Sequence, residues 1–480
     1  MKLMYENVHN LKFFDKIRLQ VMKWLENRAE EKIIERKFEM WRSEQKAFLL
    51  PDDTALTFEQ RKQIESFWKR YEFAYPNICF DEFQAFMNRT GVFDPRYIPN
   101  GIRAIYIAPY FQHKHYYWSS QNKTLLNKIF PNIKQPEVLV RRMNGYFFDG
   151  EYNRINLPLA IEKCLAHLNS GNEFIFKPND VSGGGRGICF YKNATEQQLQ
   201  KLLLNSGQSF VIQNVIKQHE VMAKLNSNSV NTLRITSIIW KNKVNILAAA
   251  VRIGAGEKRV DNWSAGGMIV GLDDKGHLYP FGLDKKCNRM TMTVGGVDLT
   301  KGYSIPCWDK VIETVERSHF HIPYIKLASW DIAIDECGDP ILIEVNFAGD
   351  WHVHQLTVGP VLGELTQEIL DEVILKRYCK KHNTLNFDFK EYHDHIEVEK
   401  YLGDNKVVKI PEKMYGKPVT VIGRRAFRFN RVVECVKLPH TVKSIGERAF
   451  SGCTSLRNIN INKNISIHKT AFNLCPLSRK

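Results

Sequence analysis

The chain has 480 residues, 44% hydrophobic and 25% charged, which is ordinary for a globular protein and allows roughly two to four domains. No stretch approaches the roughly 20 apolar residues of a membrane helix, and charges interrupt the N-terminal stretch where a signal peptide has its apolar core. The ten cysteines form no C-x-x-C pair, which favours reduced, individually packed thiols in the cytoplasm over a disulfide framework or a zinc site.

The net charge of +16 is concentrated at the C-terminal end. Residues 401–480 contain sixteen Lys and Arg against four Asp and Glu, a net of +12, which leaves +4 for the first 400 residues. A segment this basic suggests a polyanionic partner such as nucleic acid, an anionic polysaccharide or acidic lipid headgroups. A solvated, solubilising surface is the alternative.

Two charged segments near the N-terminus have helical periodicity and are interpreted as packing helices. The second is "FEQRKQIESFWKRY" at 58–71. The first covers 11–48, and its apolar residues recur every three to four positions: Phe13, Ile17, Val21, Trp24 and Leu25.

Between about 100 and 380 the pattern changes to short β-rich runs separated by glycine loops, with helical segments such as "NATEQQLQKLLLNSG" between some of them. This mixture predicts an α+β or α/β core. The predicted strands are "AIYIAPYF", "EFIFKP", "SFVIQNVI", "LRITSIIW", "VNILAAAVRI", "WDIAID" and "ILIEVNF".

The stretch "FIFKPNDVSGGGRG" places Lys177 at the end of a strand, just before a loop of small residues. Without Cβ atoms, backbone N–H groups of such a loop can approach an anion closely, and nearby cations add charge. Neither a Walker A loop nor a dinucleotide G-x-G-x-x-G pattern is present, and a plain turn is the alternative. The loop residues are Ser182, Gly183, Gly184, Gly185, Arg186 and Gly187.

The segment "SWDIAIDECGDPILIEVNFAGDW" predicts two strands joined by a turn at "ECGD". If Cys337 and Gly338 form a two-residue loop, Asp331 lies opposite Glu344, and Asn346 shares their face. Three oxygen ligands then converge, as Mg²⁺ requires when it also takes phosphate oxygens and water. An acidic, solvent-facing hairpin is the alternative, but isoleucines at 332, 334, 341 and 343 predict burial of the other face.

Further polar residues lie on or after predicted strands. Arg234 and Arg252 are strand residues, and "VDNWSAGGM" combines Asp261 and Asn262 with a Gly266–Gly267 hinge. The segment "VDNWSAGGM" predicts either a mobile loop over a substrate or a simple hairpin turn. His352 and His354 in "DWHVHQ" lack an evident third zinc ligand, so packing, or lining of a pocket, is favoured.

The C-terminal segment repeats. Ile422, Ile445 and Ile467 recur at intervals of 23 and 22 residues, each followed by an Ala-Phe pair. This period indicates a solenoid whose units bury their apolar faces only by stacking. With "YLG", "VVKIP" and "YGKPVTVIG" in order before it, the segment resembles BspA-like leucine-rich repeats, which implies a small right-handed solenoid that binds or packs without chemistry of its own.

Residues 80–375 resemble the ATP-grasp superfamily and, within it, the sugar-transfer-associated ATP-grasp proteins. The resemblance rests on motifs that occur in family order: "TGVFDPRYIPNGIRAIYIAPYF", "KQPEVLVRRMNGYFFDG", "NSVNTLRI", "RVDNWSAGG" and "SWDIAI…ILIEVNFAGDWHVHQ". It implies an α+β fold of two subdomains that grip ATP, within predicted domains of 1–75 (helical), 76–385 (catalytic) and 390–480 (repeats).

The same resemblance implies roles for individual residues. Lys177 and the glycine loop would hold the β- and γ-phosphates, joined by Lys123, for which Lys128 is an alternative. Further residues would bind the adenine (Gln213, Asn214, Val215), the ribose (Glu220), the γ-phosphate and acyl phosphate (Arg234, Arg252), the substrate (Asp261, Asn262, Gly266, Gly267) and Mg²⁺ (Asp331, Glu344, Asn346). A second Mg²⁺ is allowed, and Mn²⁺ is a substitute.

The implied activity is ATP-dependent ligation of a carboxylate to an amine through an acyl phosphate, on a peptide, amino acid or surface-polysaccharide precursor. The alternatives are a sugar-hydroxyl kinase and a non-catalytic nucleotide-binding scaffold. We expect a cytoplasmic protein, with peripheral attachment to the inner membrane face as a variant. The basic solenoid would bind an acidic peptide, anionic glycan or membrane surface; no specific nucleic acid is predicted, and a homo-oligomer is allowed.

Overall fold

The computed structural model describes residues 32, 34–40, 48–72, 74–75, 77–113, 115–116, 121–179, 186–261, 263, 266–347, 351–375, 386–414 and 417–479. These residues form two compact units. The first contains the described parts of 1–55 and 79–363, and the second those of 56–78 and 364–480. The domain limits expected from the sequence remain a prediction. Most of the predicted helix at 11–48 lies outside the described residues.

The smaller sheet of the first unit is antiparallel, in the order β3-β2-β1-β6-β4-β5. Phe174 and Phe176 of β4 pack into an apolar core with two helices, whereas Ile175 and Lys177 face a cleft, as the two-residue period of a strand requires. Its strands are β1 Val138–Met143, β2 Tyr146–Phe148, β3 Arg154–Ile155, β4 Phe174–Pro178, β5 Cys189–Tyr191 and β6 Phe210–Asn214.

The larger sheet is also antiparallel, in the order β11-β10-β9-β8-β7-β12-β13. Leu233, Ile235, Trp330 and Ile332 lie in the main core, so the residues between them point to the cleft. Its strands are β7 Thr232–Trp240, β8 Lys243–Ile253, β9 Met268–Leu272, β10 Leu278–Leu283, β11 Arg289–Met290, β12 Leu327–Ile334 and β13 Pro340–Asn346.

Helices of the first unit pack against both of its sheets, so the class is α+β, as predicted. The predicted helices at 58–71 and 193–207 are present, the first as a helix continued by a 3₁₀ turn. None of the helices in the described part of the chain has the length and apolar character that a bilayer crossing requires. The α-helices are Phe58–Trp68, Phe80–Thr90, Asn100–Ile102, Ala108–Phe111, Leu126–Ile129, Leu157–Asn169, Glu196–Asn205, Glu220–Leu225, Trp308–His319, Trp351–Val358 and Thr366–Leu370.

The predicted strand "AIYIAPYF" is wrong. Residues 104–111 belong to a helical stretch that starts at Asn100 and includes a π turn, Arg103–Ile107. Ile102, Ile107 and Phe111 are buried. An apolar run buried at this many positions has no two-residue alternation, so periodicity alone does not separate a buried helix from a buried strand.

The second unit contains the solenoid. Parallel strands stack Ile422 on Ile445 and Ile445 on Ile467, which is the predicted repeat. A second parallel ladder stacks β16, β19 and β21. The strands of this unit are β14 Phe387–Glu391, β15 Ile396–Tyr401, β16 Val407–Lys409, β17 Lys413–Met414, β18 Lys417–Ile422, β19 Cys435–Lys437, β20 Ser444–Ile445, β21 Asn458–Ile459 and β22 Ser466–Ile467.

The phenylalanine of each repeat extends the stacking into the core. The Phe450 ring lies 4.9 Å from that of Phe427 and 5.3 Å from that of Phe472, and Phe450 is fully buried. Each ring is therefore covered by the next repeat, which explains why a single repeat cannot be stable by itself.

Phe450→Ala should lower the free energy of unfolding of the repeat unit by about 3–5 kcal/mol, because it leaves a cavity between two stacked rings. Urea titration of the full chain, with proteolytic cleavage mapped across 386–479, measures this. Leu474→Ala, at a side chain that is 78% exposed, is the control and should change it by less than about 0.5 kcal/mol. Equal effects of the two substitutions would contradict the stacking account.

Candidate functional site

The register of the larger sheet brings a row of charged residues together. Asp331 on β12 pairs with Glu344 on β13, as predicted, and with Arg234 on β7 on its other side. Arg252 on β8 pairs with Thr232, two residues before Arg234. Because cross-strand partners share a face, four adjacent strands present these side chains to one cleft.

The hairpin reaches this register by a different route from the predicted one. The turn is not a two-residue loop: Asp335 pairs with Asp339 through the backbone, and Gly338 has a φ of +81°. The resulting three-residue loop would shift the register by one. A bulge restores it, because Ile332 pairs with Leu342, whereas Asp331 pairs with Glu344.

The predicted position of Ile343 is wrong, and the bulge explains why. Its side chain lines the cleft instead of packing on the opposite face, whereas Ile332 and Ile334 lie in the core as predicted. A bulged strand presents two successive residues opposite one partner, so the alternation of faces is interrupted there.

Asp331 is almost fully buried and is held by two arginines. Arg234 donates from Nε to Oδ1 and from Nη2 to Oδ2, the latter at 2.9 Å, and Arg252 Nη2 lies 3.2 Å from Oδ2. Burial raises the pKa of Asp331, but the two guanidinium groups outweigh it and the net pKa is lowered. Asp331 is therefore ionised at neutral pH.

Asn346 and Glu344 complete the acidic side of the cleft. The Asn346 amide lies 3.3 Å from Asp331 Oδ2, and Glu344 Oε1 is 3.8 Å from the Lys123 ammonium. The described residues contain no cluster of three or more His, Cys, Asp and Glu side chains suited to a metal. A cation here would thus have two carboxylates and one amide oxygen from the protein.

Lys177 faces these residues from β4 of the smaller sheet. Its pKa is lowered from the ordinary 10.5 to about 8: burial is the main cause and nearby Lys123 adds to it, whereas Glu344 and Asp261 partly offset both effects. Lys123 also lines the cleft, and its backbone N–H donates to the Asn179 side chain at 2.9 Å. Lys128, the alternative to Lys123, instead lies over the Tyr152 ring.

The predicted adenine segment is on β6 of the same sheet. Asn214 and Val215 line the cleft. Gln213 is buried and pairs with Ile175, which faces the cleft. Glu220 is the first residue of helix Glu220–Leu225 and is exposed, so it is not among the cleft-lining residues.

The glycine loop lies mostly outside the described residues, including Ser182, Gly183, Gly184 and Gly185. Arg186 and Gly187 are described, and both are exposed. Gly187 has a φ of +75°, a conformation that a side chain would strain.

Asp261 anchors the predicted substrate segment to the larger sheet. Its Oδ2 accepts hydrogen bonds from the backbone N–H and the hydroxyl of Thr232, and its Oδ1 lies 3.3 Å from Arg252 Nη2. Asn262 lies outside the described residues. Gly266 and Gly267 are described but are not among the residues that line the cleft.

Several cleft residues were not predicted. Arg259 lines the cleft and packs over Phe190, which lies on β5 just after the glycine loop. Both positions carried a usable signal, because Phe190 follows the glycine loop and Arg259 is the first residue of the motif "RVDNWSAGG". The other unpredicted lining residues are mostly apolar: Pro136, Ile175, Ile188, Ile216, Val230, Thr232, Val260 and Ile343.

The two histidines pack in helix Trp351–Val358, in agreement with the favoured interpretation. His352 lies between the rings of Phe48 and Phe86, with centroids at 4.3 and 4.8 Å. His354 Nε2 is 3.3 Å from the Thr236 hydroxyl. Both are buried.

The family model for sugar-transfer associated ATP-grasp proteins matches residues 105–371, which span both sheets of this cleft. The chain belongs to this family. A second model, the BspA type leucine rich repeat region, matches 382–479 in six copies. The two matching family models are thus the same two families that the sequence motifs indicated, one for the ATP-grasp core and one for the repeat segment.

Solved structures similar to this ATP-grasp protein include ligases and repeat proteins. A leucine-rich repeat protein of T. pallidum is 31% identical over 19% of this chain and 44% of its own, with a TM-score of 0.18. An L-amino acid ligase from Bacillus licheniformis is 11% identical, with 53% and 47% coverage and a TM-score of 0.30. The ATP-grasp ligase PsnB, complexed with minimal precursor, Mg and ADP, is 12% identical, with 53% and 59% coverage and a TM-score of 0.31.

The chain thus spans about half the length of these proteins. A comparison with curated proteins found no match.

The donor set of this ATP-grasp protein fits Mg²⁺ bound together with a nucleotide. Two carboxylates and an amide oxygen are hard ligands, and Mg²⁺ commonly completes its shell with phosphate oxygens and water. Lys123 and Lys177 from the opposite side of the cleft suit the same phosphates. Five cationic and three acidic side chains line the cleft, so its excess charge favours a polyphosphate.

Lys177→Met should stabilise the ligand-free protein and weaken nucleotide binding. At pH 7 the free energy of unfolding should rise by up to about 3 kcal/mol, because the variant no longer buries an ammonium group. Removal of one charged phosphate contact should weaken ADP binding by about 50-fold. Urea titration and calorimetry measure the two effects.

The stabilising effect should depend on pH. Because the folded pKa of about 8 is below the unfolded 10.5, the cost is present in full below pH 8 and disappears as pH rises to 10.5. The unfolding free energies of the two proteins should therefore converge near pH 10.5. Lys128→Met, which removes a lysine outside the cleft, is the control; equal loss of ADP affinity in it would contradict the assignment.

Proposed function

We propose that this chain is an ATP-dependent carboxylate–amine ligase that forms an amide through an acyl phosphate. The observation that carries this is the convergence on one cleft of Asp331, Glu344 and Asn346 from one sheet, of Lys177 from the other sheet, and of Lys123 from the 3₁₀ turn Lys123–Leu125. Such a pairing suits a nucleotide held by its phosphates between two sheets.

In this proposal Lys177 and Lys123 bind oxygens of the β- and γ-phosphates. Asp331, Glu344 and Asn346 would hold one or two Mg²⁺ ions, or Mn²⁺, which neutralise developing charge on the phosphates. Asn214 and Val215, with the apolar side chains around them, would bind the adenine. The donors are already in place before reaction, so positioning supplies much of the catalysis.

The reaction needs no covalent bond to the protein. A substrate carboxylate oxygen attacks the γ-phosphorus, the bond to the β,γ-bridging oxygen breaks, and ADP leaves. An amine then attacks the acyl carbon, the carbon–oxygen bond to phosphate breaks, and the amine proton passes to solvent. Arg234 and Arg252 carry fixed charge beside the cleft and would hold the acyl phosphate.

The substrate class we propose is an amino acid, a peptide or a surface-polysaccharide precursor that bears a carboxylate. The sugar-transfer association of the family supports the last of these. Asp261, which is fixed to Thr232 and lies beside Arg252, would orient an acceptor in this proposal.

The test combines ATP, Mg²⁺, uronic acids, amino acids, short peptides and candidate amines, with ADP release and product mass measured. We expect an amine-dependent product lighter by one water than its parts, and loss of at least about 100-fold in rate in Glu344→Gln. Glu344 is preferable to Asp331 for this purpose, because removal of the Asp331 charge takes the carboxylate from Arg234 and leaves Arg252 with Asp261 alone.

Asp339→Asn is the matched control, because this carboxylate lies at the turn of the same hairpin and pairs with Lys134 and Lys310 away from the cleft. It should keep the wild-type rate. Phosphorylation of a sugar hydroxyl in the absence of any amine would contradict the proposed ligase activity and indicate a kinase. Nucleotide binding without turnover of any substrate would favour a scaffold.

For the solenoid we propose a binding role toward an anionic glycan. Lys409 and Lys437 lie directly opposite each other on β16 and β19, both exposed, and neither forms an ion pair with a described residue. Like charges in register repel, and a polyanion along this face would relieve the repulsion. Asn458 on β21 is exposed on the same ladder and adds an amide suited to hydroxyl groups.

Lys409→Gln/Lys437→Gln should weaken binding of polygalacturonate by about tenfold at low salt, measured by calorimetry. Lys443→Gln/Lys469→Gln removes the same charge near the other ladder and should have a smaller effect. Equal losses would show that only net charge matters. Binding of polyglutamate or anionic vesicles in place of the glycan would overturn the proposed partner.

A further inference from the structure

We propose that Arg259, Val260 and Asp261 form a strap that joins the two sheets of the cleft, and that Arg259 is a positioning residue for the nucleotide. This inference rests on the proposed nucleotide-binding function. It concerns a residue that was not among the predicted site residues and that the proposed reaction does not use.

One end of the strap is fixed to the smaller sheet. Arg259 Nη1 lies 2.7 Å from Glu173 Oε2, and its guanidinium carbon lies 3.9 Å from the centre of the Phe190 ring. Glu173 directly precedes β4, and Phe190 is in β5. Arg259 thus makes an ion pair and a cation–π contact with two adjacent strands.

The other end is fixed to the larger sheet. Asp261 accepts hydrogen bonds from the backbone and the hydroxyl of Thr232 on β7 and forms an ion pair with Arg252 on β8. Val260 lies between the two anchors and lines the cleft. Three consecutive residues therefore connect one wall of the cleft to the other.

A connection this short limits how far the walls can separate, because three extended residues span only about 10 Å of backbone and each end is held by a single side chain. A nucleotide between the walls needs both at once: Lys177 and Asn214 belong to the smaller sheet, Asp331 and Glu344 to the larger. Release of Arg259 should therefore lower nucleotide affinity by loosening the two walls, and the exchange of 254–261 separates this effect from the loss of one of the five cationic side chains that line the cleft. Since Asp261 also positions Arg252, movement of the smaller sheet would reach the reacting end of the cleft.

Glu173 offers a matched control. Its other carboxylate oxygen lies 3.0 Å from Lys192, which follows β5 on the same smaller sheet. Lys192→Met breaks an ion pair of the same carboxylate but leaves the connection between the sheets intact. Arg259→Met breaks that connection.

The experiment compares the full-length wild type, Arg259→Met and Lys192→Met by calorimetry with ADP and Mg²⁺, and by hydrogen exchange of backbone amides in 254–261 without nucleotide. We expect Arg259→Met to bind ADP about tenfold more weakly, from the loss of one ion pair and one cation–π contact, with faster exchange in 254–261. Lys192→Met should match the wild type in both, and thermal unfolding checks that each variant is folded.

The outcomes separate the strap from the function on which it rests. A wild type that does not bind ADP overturns the proposed function, and the exchange data then decide the strap alone. Normal ADP binding by Arg259→Met with unchanged exchange, or equal effects in Lys192→Met, would overturn the strap.

Discussion

The cleft depends on the buried carboxylate of Asp331 and the two guanidinium groups that hold it. Asp331 is central in a row of strands, where β7 and β8 supply Arg234 and Arg252 and β13 supplies Glu344. Removal of one partner from a buried ion pair typically costs 3–5 kcal/mol, roughly, because the other charge is left uncompensated. Asp331 and the two arginines therefore fix one another. The same contacts keep Asp331 ionised, as it would have to be to bind a cation.

The smaller sheet meets this row with charge of the opposite sign. Lys177 is buried without a direct ion pair among the described contacts, and its lowered pKa shows that the ligand-free protein carries a cost there. A triphosphate would supply the missing anion. Asp331 on the larger sheet is paired with two arginines, whereas Lys177 on the smaller sheet has no ion pair among the described contacts, so a nucleotide would gain most from Lys177. In this arrangement the Lys177 ammonium group, which is poorly solvated in the free protein, would favour binding of a negatively charged ligand.

Local patterns predicted the features that depend on local structure. The solenoid was predictable because each repeat stacks on the next at a fixed period, so Ile422, Ile445 and Ile467 needed no long-range information. The pairing of Asp331 with Glu344 was also predicted, but through two errors that cancel: the loop is one residue longer, and a bulge at Ile343 removes the shift. The strand predicted at 104–111 is a helix instead. The prediction failed because the stretch is buried on several sides, which conceals the helical period of its apolar residues.

What the sequence could not reveal is contact between distant segments. The ion pair of Arg234 with Asp331 depends on β7 lying beside β12, an order set by the whole sheet and not by either strand. Arg259 is a stronger case, because its partners precede it by 69 and 86 residues and belong to another sheet. A cleft between two sheets is built from such contacts. The motifs therefore locate the chemical groups, whereas the distances between the groups, on which reactivity depends, arise from the tertiary structure.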